Sequence, residues 1–184
     1  LVHVLDQTLT PMGGRLLRER IRHPWRELSA IQSGQDMVRW FVDQDQLRDR
    51  LREALKEVYD IERLSTRIFI GRCSPKDFIG LRQSLTLLPE IHTLLASLQE
   101  HAELPPPLAS MLKKWDSMAE QRALLERALV DSPPPVITEG GLFKTGYHPE
   151  LDELMTLTEH AEGLLSELLE KEKAESDLPK LKLG

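Results

Sequence analysis

Aromatic residues, glycine and cysteine are scarce in this sequence, and each scarcity excludes something. Aromatics make up 5% and glycines number 10 of 184 residues, which argues against a β-sandwich, a barrel or a glycine-rich nucleotide-binding fold. One cysteine, Cys73, excludes an internal disulfide and any multi-cysteine metal site. No apolar run approaches the roughly 20 residues that cross a bilayer, so no membrane is expected among the partners. No basic–apolar–small signal precedes Leu1, and the numbered chain reads as a piece cut from a longer one. What remains is 40% apolar residues, enough for a core. Leu, Glu, Arg, Lys and Ala dominate, the composition of long packed helices. The expected fold class is all-α.

The net charge of −6 is unevenly spread. Residues 1–72 carry 13 basic and 11 acidic side chains, whereas residues 73–184 carry 11 and 19. An acidic second half disfavours nonspecific binding to phosphate backbones. The exception is Arg15, Arg18, Arg20, Arg22 and Arg26, interrupted only by Glu19 among acids. This stretch reads either as a solvated or ion-paired helix face or as a surface for a polyanion.

Along the chain, Thr10 serves as a helix N-cap with Pro11 at the first helical position, where a missing N–H costs nothing. Leu16, Leu17 and Ile21 share a face before His23-Pro24 ends the run. Gly13 and Gly14 are poor helix formers, and close approach of a neighbouring backbone is their simplest justification. Ser29-Ala30-Ile31-Gln32 reads as a capping box, ahead of a stripe of Ile31, Met37, Val38, Phe41 and Val42. Asp45 opens a helix carrying Leu47, Leu51, Leu55 and Val58. Asp60 to Ile70 forms another unit, closed by Gly71 as a left-handed C-cap. Ser74-Pro75-Lys76-Asp77 is a strong N-terminal signal, followed by Leu81, Leu85 and Leu88. Pro89 then starts a short helix bearing Ile91, Leu94, Leu95 and Leu98. Two proline triplets, 105–107 and 133–135, bracket a helical stretch containing Leu108, Met111, Leu112, Trp115, Met118, Leu124, Leu125 and Leu129.

From Val136 the texture changes. Val136-Ile137 and Leu142-Phe143, around Glu139-Gly140-Gly141, suggest an extended bend or at most a short two-stranded element near 136–144. After a turn at Gly146–Pro149, Glu150 to about Ala174 forms one long acidic helix. Its apolar positions Leu154, Leu157, Ala161, Leu164 and Leu168, with Leu151 and Leu165 beside them, make a coiled-coil-like seam without a partner nearby in sequence. Leu178 to Gly184 alternates as a strand would. The expected organisation is 1–135 as a multi-helix core bundle, 136–149 as an extended connection and 150–184 as a protruding helix.

A search for chemistry finds no constellation. Gly141-Leu142-Phe143-Lys144-Thr145 fails as a phosphate loop because Phe143 stands where glycine must admit the phosphates. The six histidines, at 3, 23, 92, 101, 148 and 160, lack metal-ligand spacing with a carboxylate. No metal and no cofactor is expected in this chain. Cys73 precedes a helix N-terminus with Arg72 and Lys76 nearby, yet without a paired base it reads as an ordinary thiol. No G-x-S-x-G elbow is present. Asp60, Glu62, Arg63 and Arg67 read as a structural ion-pair cluster that fixes helix packing rather than a catalytic pair. The segment is not expected to be an enzyme.

Four stretches carry a resemblance. Leu5-Asp6-Gln7-Thr8-Leu9-Thr10-Pro11-Met12-Gly13-Gly14-Arg15-Leu16-Leu17 resembles the start of the core domain of the MutS family of DNA mismatch-repair ATPases. Val58-Tyr59-Asp60-Ile61-Glu62-Arg63-Leu64, with Arg67 and then Pro75-Lys76-Asp77, is similar as well. So are Glu139 to Tyr147 followed by Leu151-Asp152-Glu153-Leu154, and Leu181-Lys182-Leu183-Gly184, which resembles the lead into the clamp strands. They follow the family's order over essentially the whole chain.

The resemblance implies a mismatch-recognition domain, connector, clamp and ABC-type ATPase in the parent protein. This chain shows neither a Phe-x-Glu wedge nor a Walker motif, and the clamp is expected beyond Gly184. It implies the first half of a helical core and a first lever helix whose partner is the returning lever helix. ATP and Mg would act in the parent, with mismatched double-stranded DNA, a second MutS subunit and a MutL-type protein as partners. The location would be cytoplasmic, nucleoid-associated when on DNA. Gly140, Gly141, Gly146, Tyr147, Leu151 and Asp152 become the expected hinge and lever base. The alternative is a direct, nonspecific DNA-binding module using Arg15, Arg18, Arg22 and Arg26.

Overall fold

The computed structural model describes residues 1–97 and 103–176. The chain divides into two compact units, Leu1–Leu142 and Phe143–Gly184. Among the described residues the regular structure is helical. In the first unit these helices are α1 (Val2–Leu5), α2 (Pro11–Arg22), α3 (Leu28–Asp43), α4 (Asp45–Lys56), α5 (Ile61–Phe69), α6 (Pro75–Ala96), α7 (Pro106–Lys113) and α8 (Ala119–Ala128). The second unit holds α9 (Pro149–Ser176).

Helix α6 is the axis of the first unit, packing against α4, α5, α7 and α8. Its inner residues Ile91, Leu94 and Leu95 meet Leu47, Ala54 and Val58 of the α4 region and Leu108 and Leu112 of α7 in one buried cluster. Met12, Met37, Trp40, Phe41 and Trp115 close around it, partly buried. Burying a leucine of this kind contributes about 1.5–3 kcal/mol, so this cluster dominates the unit's cohesion.

Local signals explain several boundaries. Thr10 Oγ1 accepts the Gly13 N–H at 3.0 Å, with Pro11 in the first turn of α2. Asp60 caps α5 by accepting the Arg63 N–H at 3.2 Å. That helix ends in a Schellman arrangement: the Gly71 and Arg72 N–H groups donate to the Ile68 and Arg67 carbonyls, and Gly71 takes φ 67°. At α6 the capping box closes both ways, Ser74 accepting from the third-position amide and Asp77 accepting the Ser74 N–H at 2.8 Å.

Three expectations need correction, and the stretch from Val136 takes the strand-free form that its expectation allowed. The box at Ser29 does not form, because α3 begins earlier, at Leu28, with Glu27 as an N-cap that makes no side-chain bond. Pro89 does not start a helix; it lies inside the 22-residue α6. Leu85, four residues before it, and Ile91, two residues after it, are both buried. Their packing outweighs the roughly 3 kcal/mol that an internal proline costs. The stretch between the proline triplets is two helices, broken where Asp116 accepts the Met118 N–H at 2.8 Å and Met118 turns left-handed at φ 49°. Val136 and Ile137 do not pair as a strand. Ile137–Glu139 winds into one 3-10 turn, and the Leu142 carbonyl accepts instead from the Val130 N–H at 3.1 Å. The alternating tail Leu178–Gly184 lies outside the described residues, as do Leu98 and His101.

Candidate functional site

Two places concentrate polar chemistry, one in each unit. The first joins the start of α2 to the start of α5. Arg15 sits one turn into α2, and its guanidinium forks onto Asp60, donating from Nη1 to Oδ2 at 2.5 Å and from Nη2 to Oδ1 at 2.8 Å. Nη2 also donates to Glu62 Oε2 at 2.5 Å. Arg63 adds a longer contact to Asp60, 3.6 Å. Asp60 therefore caps its own helix and holds another helix at once. Its carboxyl lies below the usual aspartate range, chiefly because of the Arg15 hydrogen bonds, with the Arg63 amide helping and burial opposing. The two carboxylates in turn raise Arg15 further above its ordinary value, Asp60 contributing most.

Beside this knot, Asp6 Oδ1 accepts from the Thr8 hydroxyl at 2.6 Å and the Thr8 amide at 3.2 Å. These bonds, the hydroxyl's first, lower the Asp6 pKa, with Arg18 a lesser contributor. Arg18 reaches Asp6 at 3.4 Å, and Arg52 donates to the Gln7 carbonyl. The N-terminal segment is thus tied to α2 and α4. Here the two early glycines find their reason. A Cβ on Gly14 would come within 3.2 Å of Thr8 Oγ1, and one on Gly13 within 3.1 Å of Thr10 Oγ1. The close neighbours are side chains of the preceding turn, not the backbone expected from sequence.

The structure brings Arg15, Asp60, Glu62 and Arg63 together but not Arg67, which pairs with Asp77 at 2.5 Å. Of the arginine stretch, Arg15 and Arg18 face carboxylates, and Arg20 lies over the Trp25 ring at 4.3 Å. Arg22 and Arg26 are exposed. Two residues passed over in sequence prove structural. Ser84, fully buried, accepts the Tyr59 N–H at 2.9 Å and donates to the Gly80 carbonyl at 2.8 Å. Arg82 donates to the Leu129 carbonyl and to Asp131. A serine or arginine within a helix has no distinctive sequence context, and only the fold reveals its partner.

The second place is the base of α9. Both Asp152 carboxylate oxygens accept the Gly146 N–H at 3.0 Å, and Gly146 takes φ 85°. Phe143 and Tyr147 stack with ring centroids 5.5 Å apart, and Tyr147 N–H donates to the Lys144 carbonyl. Leu151 is half-buried. Gly140 and Gly141, in the first unit, also have positive φ, 73° and 70°. This loop does not suit a phosphate: Phe143 is stacked and the Gly146 amide already serves a carboxylate. Farther along α9, Leu154, Leu157, Leu164, Leu165 and Leu168 are 47–64% exposed. Among the described residues no group of three potential metal ligands occurs, and no helix is long and apolar enough to cross a membrane.

Charged side chains here join helices and cap their ends, the arrangement of a helical scaffold domain. The pattern described as MutS domain III matches residues 1–181. A DNA mismatch repair protein MutS from Nitratidesulfovibrio vulgaris is 54% identical across 99% of this chain. Those of Lawsonia intracellularis and Salinibacter ruber are 45% and 39% identical across 100%. The chain belongs to the MutS domain III family. It spans about a fifth of the length of these relatives, 20–22%.

Proposed function

We propose that this chain is the structural and signal-transmitting core segment of a DNA mismatch repair protein, coupling an ATPase elsewhere in the longer protein to its mismatch-recognition and clamp domains. The carrying observation is the base of α9, where Asp152 fastens Gly146 to the helix while five leucines beyond it stay exposed. A helix anchored at one end, with an apolar seam for a second helix, is suited to move as a lever. Coupling between distant sites requires an element with discrete arrangements that both sites bias. The backbone at Gly140, Gly141 and Gly146 is where α9 turns in this reading. ATP and Mg would bind in the ATPase. Mismatched duplex DNA, a second subunit and a MutL-type protein are the partners of the whole cytoplasmic protein.

The test uses the full-length protein. Gly141→Ala with Gly146→Ala strains two positive-φ positions. It should slow ATP-induced release from mismatched DNA about tenfold or more, within ordinary coupling energies, while mismatch binding and ATP hydrolysis persist. Unchanged release would sink the lever reading. The alternative, direct nonspecific DNA binding by the Arg15–Arg26 face, now depends on Arg22 and Arg26, since Arg15 and Arg18 already face carboxylates. It requires salt-dependent duplex binding that Arg22→Gln with Arg26→Gln abolishes.

A further inference from the structure

Helix α3 is amphipathic in sequence yet buries no residue fully. Trp25 lies against Gly34, so closely that an added Cβ would collide with its ring carbons, while Arg20 stacks over the ring at 4.3 Å. Beside this indole, along α3, runs a groove of about 1030 Å³ lined mainly by Trp25, Ile31, Gly34, Met37, Val38 and Pro107. Leu28, Val38 and Val42 remain 68%, 64% and 59% exposed.

Charge says what would fill it. The only ionisable lining residue is the cation Arg39. Its pairing with Asp36 is a 3.5 Å contact between highly exposed side chains, worth little and easily exchanged. Arg20 adds a second cation on Trp25, and the flanking segment carries exposed Arg22 and Arg26 against one exposed carboxylate, Glu27. Spacing says what shape it has. Ile31, Gly34 and Val38 follow one helical face over two turns, about 10 Å at 1.5 Å per residue, and Val42 prolongs it by another turn. A helix laid along another helix presents its apolar residues with that repeat.

We propose that this groove is a docking site for an acidic amphipathic helix of a partner protein, its apolar stripe against Ile31, Met37 and Val38 and its carboxylates toward Arg20 and Arg39. The site lies in the first unit and shares no residue with the base of α9.

The probe is a synthetic helical Leu/Glu amphipathic peptide of about 18 residues, long enough to be helical, titrated into the intact protein and followed by tryptophan fluorescence. A Leu/Lys counterpart and a duplex DNA serve as competitors. Saturable binding of the Leu/Glu peptide is expected, weakened at least tenfold by Val38→Asp and by Arg20→Glu with Arg39→Glu. Val38→Asp lies at an exposed position, and unchanged thermal unfolding will show that it leaves the fold intact. Gly34→Ala, which pushes the indole aside, should weaken binding too. No binding, equal binding of the Leu/Lys peptide, or indifference to Val38→Asp each overturns the proposal. Displacement of the peptide by duplex DNA at physiological salt would assign the face to nucleic acid. A concentration-dependent dimer that the peptide dissociates would assign it to a second copy of the chain.

Discussion

Asp60 shows how much one side chain can hold. Its carboxylate caps α5 and receives the Arg15 fork, while only 14% of the side chain is exposed. Asp60→Asn keeps a capping oxygen but loses the charge, and should cost about 1–3 kcal/mol near neutral pH. The pH dependence has a definite sign. The folded-state pKa is lowered from its ordinary value, so the stabilisation is fully present above the unfolded value of about 3.9. It disappears as pH falls through the lower, folded-state value. Chemical denaturation of wild type and Asp60→Asn from pH 7 downward should give a stability gap that holds to about pH 4 and then narrows. A gap independent of pH would mean that the Arg15 pair is not the source. Sequence alone grouped Asp60, Glu62, Arg63 and Arg67 as a structural ion-pair cluster, and the fold sends Arg67 to Asp77 instead. Sequence offered no sign that Arg15, 45 residues earlier, supplies the bridging cation.

At the scale of elements, what was legible is what short-range chemistry decides. The Thr10 cap, the Ser74–Asp77 box and the Gly71 terminator each involve atoms within a few residues, and each forms as the pattern requires. Illegible were the outcomes decided by distant packing. The Ser29 box loses to an α3 that starts two residues earlier, and Leu142 bonds to Val130 rather than closing a local hairpin. Pro89 is the sharpest case, since local rules end a helix there and the core carries it through. Because Pro89 has no N–H, the Leu85 carbonyl lacks its usual intrahelical donor. Pro89→Ala should therefore stabilise the first unit by about 1–3 kcal/mol, partly offset by the freer unfolded chain. Thermal unfolding would show the gain as a higher midpoint. A lower midpoint would mean that the proline ring's own packing against neighbouring side chains outweighs the missing bond.

Across the whole molecule, apolar surface is distributed unequally between the two units. The first gathers Leu47, Leu94, Leu95, Leu108 and Leu112 at 3–8% exposure, whereas the α9 leucines lie at 47–64%. Sequence periodicity identified the α9 seam and its lack of a nearby partner, because a leucine stripe is visible whether or not anything covers it. An isolated helix gains little from propensity alone and depends on packing of its apolar face. Gly163 lowers its intrinsic stability further, and a Cβ there would meet nothing within 4 Å. Local opening should therefore be far easier in α9 than in the inner turns of α6. Hydrogen exchange tests this residue by residue: amides from Ser84 to Leu95 should be the slowest, and those from Leu157 to Leu168 among the fastest in any helix. Adding a helix complementary to the seam should slow exchange in α9 and leave α6 unchanged, because burial of the leucines is what α9 lacks. If α9 is already as protected as α6, the seam is covered in solution, and a lever awaiting a second helix is the wrong description of it.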